Sequence, residues 1–348
     1  MNSVKCEIYG KTIIIETGKM AKQANGAVVV KQGDTHVLTT VCASSEAREG
    51  IDFMPLSVEY RERAYAAGMI PGGFFKREGR PTEKEILSSR LIDRPLRPLF
   101  PEGYHNEVQV FAWVISFDQL HDGDVLGIIG SSAAMAISDI PHQAPFAGMR
   151  VGKIGDDYIF NPTIQEREQS TMDIIVAGTG EDIFMVEGHA FEVSEEDLIG
   201  AFEFAKPRLA ELTELQKQFM QEVGKEKMAF EPPEKPLDFI EEVKAKVKDR
   251  ITEIIETAET KQERNSRLDE LKTEIKEAYI AEDEEKYADL VPYVSSTVKD
   301  TIKEVMRYRI VEQGKRMDGR APLEIRPITC EVGVLPRSHG SALFTRGE

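Results

Sequence analysis

Tryptophan occurs once and cysteine three times in the 348 residues. Cys6, Cys42 and Cys330 are odd in number, far apart and without a Cys-x-x-Cys spacing. That pattern removes a disulfide framework and a thiolate zinc site from consideration and leaves the cysteines as small buried hydrophobes. The six histidines, at 36, 105, 121, 142, 189 and 339, include no pair four residues apart, so no helix turns two imidazoles toward one metal. No apolar run approaches the roughly 20 residues of a membrane helix, and the N-terminus lacks the basic-then-apolar order of a signal peptide. A cytoplasmic chain with no membrane association is the expectation. Positive charge is short as well: 44 Lys and Arg stand against 61 Asp and Glu, a net charge of −17. This balance excludes a surface that binds phosphate indiscriminately, because an acidic body repels polyanions except where cations are gathered.

They are gathered in residues 71–104, PGGFFKREGRPTEKEILSSRLIDRPLRPLFPEGY, which hold seven of the lysines and arginines. Pro71, Gly72 and Gly73 predict a flexible turn, after which Phe74 and Phe75 stand directly before Lys76 and Arg77, with Arg80 close behind. Rings beside cations suit single-stranded nucleic acid, whose bases stack on aromatic faces while ammonium and guanidinium groups hold phosphates. The same tetrapeptide also reads as two core phenylalanines with a solvated charged rim, and the residues alone leave both readings open. Downstream, Thr82 is the expected N-cap of a helix with Glu83 and Glu85 in its first turn. Ile86, Leu87, Leu91 and Ile92 follow at helical spacing until Pro95 stops it. Arg90 and Arg94 share one face of that helix, and Arg97 follows in a proline-rich tail. These arginines either face a polyanion or pair with local carboxylates such as Asp93.

Alternation in KCEIYG and KTIIIETG predicts a hairpin, with GAVVVKQG, THVLTTVCA and NEVQVFAWVIS as further strands. DGDVLGIIGSSAAMAISDIP has an acidic start, small residues spaced for close packing and a proline stop, which make a core helix. Strands follow at 148–160, 171–178 and 182–188, then a helix from Ser194 to about Val223, begun by an approximate capping box to Asp197. Residues 1–224 thus read as one α+β domain. Two tempting motifs in it fail. Gly178-Thr179-Gly180 lacks the third glycine and the following helix of a dinucleotide loop, so a hairpin turn is expected. Ser131 and Ser132 lack the frame of a nucleophile elbow and read as packing hydroxyls.

Three prolines mark residues 225–237 as a linker. Residues 238–312 read as a small all-α domain of three helices. Phe239, Ile240, Val243, Val247, Ile251, Ile254 and Ile255 stripe the first, Leu268, Leu271, Ile275 and Tyr279 the second, and Val298, Ile302, Val305 and Ile310 the third, from about Tyr293 to Glu312. Eighteen acidic against eleven basic residues over 234–291 point to a spacer or packing surface ahead of RNA contact.

The stretch GGFFKREGRPTEKEILSSRLIDRPLRPLFPEGY resembles the first core domain of the bacterial polynucleotide phosphorylases. So do KTIIIETGKMAKQANGAVVV, GDTHVLTTV, DVLGIIGSSAAMAISDIP and the closing RMDGRAPLEIRPITCEVGVLPRSHGSALFTRGE. The resemblance implies an RNase PH-like core of mixed strands and helices, the helical domain and, over residues 313–348, the incomplete start of a second RNase PH-like core. GSALFTRGE at 340–348 aligns with GAVVVKQGD at 26–34, as such a repeat would. The activity implied is processive 3′-to-5′ phosphorolysis of single-stranded RNA to nucleoside diphosphates in mRNA turnover. Inorganic phosphate is the co-substrate, Mg2+ the metal and a homotrimeric ring the assembly, with RNA-degradation complexes as further partners.

The family's serine pair, arginine pair, two aspartates and lysine belong chiefly to the second core. They are expected beyond Glu348, so no catalytic residue and no metal ligand is carried over, and the segment alone is expected to be inactive. Phe74, Phe75, Lys76 and Arg77 match the family's aromatic-aromatic-basic-basic loop at a pore constriction, and Arg80 a nearby substrate-holding cation. Lys76 departs from the more usual arginine and cannot form a planar fork with phosphate. Two other readings stand. One is a non-catalytic RNA-binding or ring-forming scaffold subunit. The other is a phosphorolytic exoribonuclease complete in the first core, against which stands the lack of a spaced acidic pair with a nearby lysine. Strands between residues 325 and 344, cut off from their sheet, are expected to be disordered or to pair with another chain.

Overall fold

Apolar alternation at the start of the chain closes a hairpin, β1 (Asn2–Ile8) against β2 (Lys11–Thr17), with Ile13 and Ile15 fully buried. The computed structural model describes residues 2–48, 51, 53–232 and 234–347. These fall into two compact units, Met1–Pro233 and Glu234–Glu348. In the first, β3 (Gly26–Gln32), β4 (Thr35–Ala47), β5 (Leu56–Glu62) and β6 (Asn106–Ser116) extend the hairpin into a six-stranded sheet of order β1-β2-β3-β4-β6-β5 among the described residues. Every neighbour is antiparallel except β5, which runs parallel to β6. A parallel neighbour needs a long crossover. Here that crossover is the basic segment, a 3-10 turn (Ala64–Ala67), an extended loop and α1 (Glu83–Leu96).

Helix α1 departs from its sequence reading in two ways. Pro95 lies inside it, and the chain tightens into a 3-10 turn at Arg97–Leu99. The proline removes the one N–H that would reach the Leu91 carbonyl, a single bond lost next to the helix end. Ile86 and Leu87 are exposed, while Glu85, Ser88, Ile92, Pro95 and Leu96 form the buried stripe. The helix is rotated by Glu85, whose carboxylate is drawn inward by the Glu62 N–H and the Arg61 side chain at the end of β5.

Helix α2 (Gly123–Ile137) has no exposed residue. It packs on β3, β4 and α1, and also on β7 (Ala147–Ile154) of a second sheet. That sheet adds β8 (Asp157–Phe160), β9 (Met172–Gly178) and β10 (Ile183–Ala190) in the order β10-β9-β7-β8. The expected strand 148–160 is therefore two, turned at Gly155 (φ +60°), and a short α3 (Ile164–Gln169), capped by Thr163 and Glu166, precedes β9. Residues 178–182 make the hairpin turn between β9 and β10. The long α4 (Glu195–Val223) begins with Ser194 accepting from the Asp197 N–H and packs on α2. Beyond it, the Lys227 ammonium donates to the carbonyls of Met135 and Ser138 at 2.7 Å, which places a cation at the negative end of α2.

The second unit is α5 (Leu237–Thr257), α6 (Lys261–Glu282), a one-turn α7 (Glu284–Tyr287) and α8 (Val291–Gln313). The three apolar stripes, apart from Ile240 and Ile310, meet in one core, closed by the rings of Phe239, Tyr279 and Tyr287. β11 (Ile328–Val332) and β12 (Ala342–Arg346) pair antiparallel with each other. This corrects the expectation of disorder: each strand pairs one edge with the other, while the outer edges of the hairpin stay unpaired and Leu343 and Phe344 stay exposed. Among the described residues no helix is long and apolar enough to cross a membrane.

The approach of α2 to the first sheet is close enough to test. A Cβ on Gly26 would lie 2.1 Å from the Ala134 carbonyl oxygen. Gly26→Ala should therefore cost about 1 to 3 kcal/mol in urea denaturation followed by circular dichroism, with the helix forced off the sheet.

Candidate nucleic-acid interface

The loop that carries Phe74 to Arg80 is tied down at its two ends. At the C-terminal end Thr82 and Glu85 form a capping box, and the same Glu85 carboxylate accepts from the Glu62 N–H at 2.8 Å and from Arg61 Nε at 3.1 Å. Burial pushes Glu85 up, but these N–H donors, the Thr82 hydroxyl and Arg61 outweigh it and hold the carboxyl below the usual range. One step earlier, Glu78 accepts from the Ala64 N–H at 2.9 Å and from Arg63 Nη1 at 3.0 Å, and Arg61 Nη2 donates to the Gly79 carbonyl at 3.1 Å. The Ala64 N–H first, and then Arg63, hold the Glu78 carboxyl down as well. Arg63 in turn lies over the ring of Trp113 on β6, 4.6 Å from its centroid.

Between these ties the chain stands out from the body. Phe74 is 94% and Phe75 79% exposed, their rings edge to face at 5.4 Å, and Lys76, Arg77 and Arg80 are exposed beside them. The reading of the phenylalanines as core fails on these exposures. Gly73 (φ +77°) and Lys76 (φ +50°) both occupy the left-handed region. For a lysine that conformation is uncommon and marks a sharply turned loop. On α1 the arginines divide. Arg97 forks onto Asp93, and Arg94 pairs with Glu187 of β10. Arg90 makes no ion pair among the described residues and stays exposed.

Under α1 lies a cavity of about 790 Å³, whose lining includes Lys84, Arg90, Arg94, Asp122, Arg150 and Asp173. Sequence reasoning missed its floor, because the residues come from separate elements and share no motif. Arg150 of β7 bonds Asp124 at the start of α2 and Asp173 of β9, while Arg167 of α3 bonds Asp122 and Asp173. Lys84 reaches Asp122 at 3.2 Å and Glu62 at 2.8 Å. Burial works against the charge on Arg150, but Asp124, Asp173 and Asp122 raise its pKa further still, so the guanidinium stays ionised. Asp124, wholly enclosed, is pushed up by burial against the pull of Arg150. Asp122 is held down: burial raises it, and Lys84, Arg150 and Arg167 more than reverse that. This donor set does not fit a divalent cation, since two guanidiniums already occupy the space between the carboxylates. Among the described residues no group of three or more His, Cys, Asp or Glu could hold a metal ion.

Removing a buried cation strands its carboxylates. Arg150→Met should destabilise the chain by about 3 to 5 kcal/mol in urea melts at neutral pH, because Asp124 is left buried and uncompensated and Asp173 keeps only Arg167.

The first unit matches two domain families, the 3′ exoribonuclease family, domain 1, over residues 10–141, and the 3′ exoribonuclease family, domain 2, over residues 144–208. Residues 238–321 match the polyribonucleotide nucleotidyltransferase RNA binding domain. Along its length the chain is 47% identical over 346 residues to the polyribonucleotide nucleotidyltransferase of Sulfurihydrogenibium azorense, covering 99% of this chain and 48% of that protein. It is 46% identical to that of Syntrophotalea carbinolica, again over 99% of this chain and 49% of the relative. Rice Rrp46, a solved structure, superposes with a TM-score of 0.49 at 18% identity over 60% of this chain and 94% of its own. The chain thus spans about half the length of the curated relatives it matches. With both exoribonuclease domains matched in its first unit, the chain belongs to the 3′ exoribonuclease family, and along its length it is similar to about half of the polyribonucleotide nucleotidyltransferases.

Proposed function

We propose that this chain is the RNA-guiding and ring-assembling half of a polynucleotide phosphorylase, which shortens single-stranded RNA from its 3′ end in the cytoplasm. In that reaction an oxygen of inorganic phosphate forms a bond to the terminal phosphorus, the bond to the preceding ribose 3′-oxygen breaks, and a nucleoside diphosphate leaves while the shortened RNA takes up the proton. Phosphate is itself the nucleophile, so the protein's part is positioning and charge stabilisation. The observation that carries the reading is the pair of phenylalanines held in solvent beside Lys76, Arg77 and Arg80 on a loop anchored at both ends. Bases stack on exposed rings, and phosphates pair with the cations that follow. The chemistry, with its Mg2+, is assigned to a second core of which residues 313–348 are the start. A homotrimer would bring three such loops around one passage, and RNA-degradation complexes are the class of larger partner.

The second reading, a scaffold that binds RNA without cleaving it, draws support from the first unit's own cavity, where Arg150 and Arg167 neutralise the acidic cluster. In either case the purified chain should release no ADP from poly(A) with phosphate and magnesium. ADP formation above background would place a working site within these residues and overturn the assignment of chemistry to the second core. A full-length protein that binds RNA yet forms no diphosphate would favour the scaffold.

The two kinds of loop residue should differ in salt response. Arg77→Ala or Arg80→Ala should weaken RNA binding and lower the slope of log K against log salt by about 0.7 for each phosphate of a single strand that is no longer neutralised. Phe74→Ala or Phe75→Ala should cost about 1 to 3 kcal/mol for each base that no longer stacks, with the slope little changed. Parent-like affinity in all four variants, with the fold intact, would remove the loop from the RNA-binding surface.

A further inference from the structure

We infer that Glu78 is a positioning residue for RNA: its carboxylate is the clasp that holds residues 65–77 in the shape that presents Phe74, Phe75, Lys76 and Arg77. This rests on the reading of the loop as an RNA contact. Among the described residues, none from 70 to 77 makes a hydrogen bond or ion pair to the rest of the unit. Their placement is therefore set by where the loop leaves the body and where it returns. It leaves through the turn at Ala64–Ala67, which is held by the Phe117 N–H on the Ala66 carbonyl at 3.0 Å. It returns at Glu78, whose two oxygens reach back across the loop's neck to Ala64 N–H and Arg63, with Arg61 Nη2 at 3.8 Å. Arg63 is itself fixed between this carboxylate and the ring of Trp113. A relay thus runs from a central strand of the sheet through Trp113, Arg63 and Glu78 to the displayed rings.

A glutamate in this place is otherwise hard to account for. It is an anion one residue from Arg77 and two from Arg80 in a loop whose proposed ligand is a polyanion, and at such range it is poorly screened by salt at about 0.1 M. Plain electrostatics says that removing it should strengthen RNA binding. The clasp says the reverse, since a loosened loop spends only part of its time in the competent shape and the apparent affinity falls by that fraction.

The sign decides. Binding of a fluorescein-labelled single-stranded oligoadenylate to the chain would be followed by anisotropy across a salt series for the parent, Glu78→Ala, Glu78→Gln, Arg77→Ala and Phe74→Ala. Each variant would first be checked for a parent-like melting transition. Glu78→Ala should bind about tenfold more weakly, as for a loop competent about one tenth of the time, with an unchanged salt slope. Glu78→Gln keeps an acceptor for the Ala64 N–H but loses the Arg63 ion pair, so it should fall between. Two readouts need no RNA: trypsin should cut faster after Lys76 and Arg77 in Glu78→Ala, and the emission of Trp113, the sole tryptophan, should shift. Equal or tighter RNA binding by Glu78→Ala, in a set where Arg77→Ala binds weakly, would overturn the inference. Parent-like binding by both Arg77→Ala and Phe74→Ala would instead remove the RNA reading. In that event unchanged trypsin cleavage in Glu78→Ala would overturn the clasp as well, and faster cleavage would keep Glu78 as the loop's anchor.

Discussion

Everything in the first unit depends on how closely helix α2 can lie against its neighbours. All fifteen of its residues are buried, which a helix achieves only when it is covered on every side. The two sheets, α1 and α4 all meet on it, so its position sets theirs. Small residues make that possible. Gly26 on β3 takes the Ala134 backbone in van der Waals contact, Gly130 sits against Thr39 and Gly148 on β7 against Ile128, and a Cβ at any of them would collide. Interiors packed at such density deform little and transmit displacement. The ends of the helix are treated with equal care: Asp124 lies in its positive first turn, and Lys227 meets its terminal carbonyls.

The same placement explains the two charged features on either side of α1. The acidic start of α2 brings Asp122 and Asp124 beside Asp173 of the second sheet, three carboxylates in a space shielded from water. They are tolerable together only because Arg150, Arg167 and Lys84 are threaded between them. The cluster joins α1, α2, α3, β7 and β9 and closes the floor of the cavity. It is an ionic staple in the place where carboxylates free of guanidiniums could have held a metal. On the outer side of α1 the logic is inverted. Glu78 and Glu85 turn their carboxylates inward to backbone N–H groups and to Arg61 and Arg63, which leaves Lys76, Arg77 and Arg80 with no carboxylate partner among the described residues. An acidic protein thereby shows a positive loop.

The parallel strand β5 links these features. Its pairing with β6 demands a crossover, and the crossover is built as a tied loop followed by a helix. The loop is exposed because its ends are anchored to the edge of the sheet and its phenylalanines have no core to enter. Exposed phenylalanines cost solvation free energy in the absence of a partner, and that cost is the physical basis for proposing a ligand with flat apolar faces and charged links.

The sequence by itself determined the elements whose signals are local. The β1–β2 hairpin, β6, α2, α4, the Thr82 cap and the three apolar stripes of the second unit were legible as periodicity and capping chemistry, which depend on neighbours a few residues away. The candidate loop was legible too, as rings beside cations, though whether Phe74 and Phe75 were buried or displayed was not. Tertiary structure decided that, since burial is set by what else comes near. It also decided β5, an edge strand whose residues pair only once β6 is in place, and the rotation of α1, where the inward pull on Glu85 outweighs the burial of Ile86 and Leu87. The assembly of Asp122, Asp124, Arg150, Arg167 and Asp173 lay wholly beyond sequence reading. Asp124 and Asp173 are 49 positions apart and become neighbours only when α2 is laid across the sheet that carries β7 and β9. Charges so placed interact through a low-dielectric interior that no one-dimensional pattern encodes.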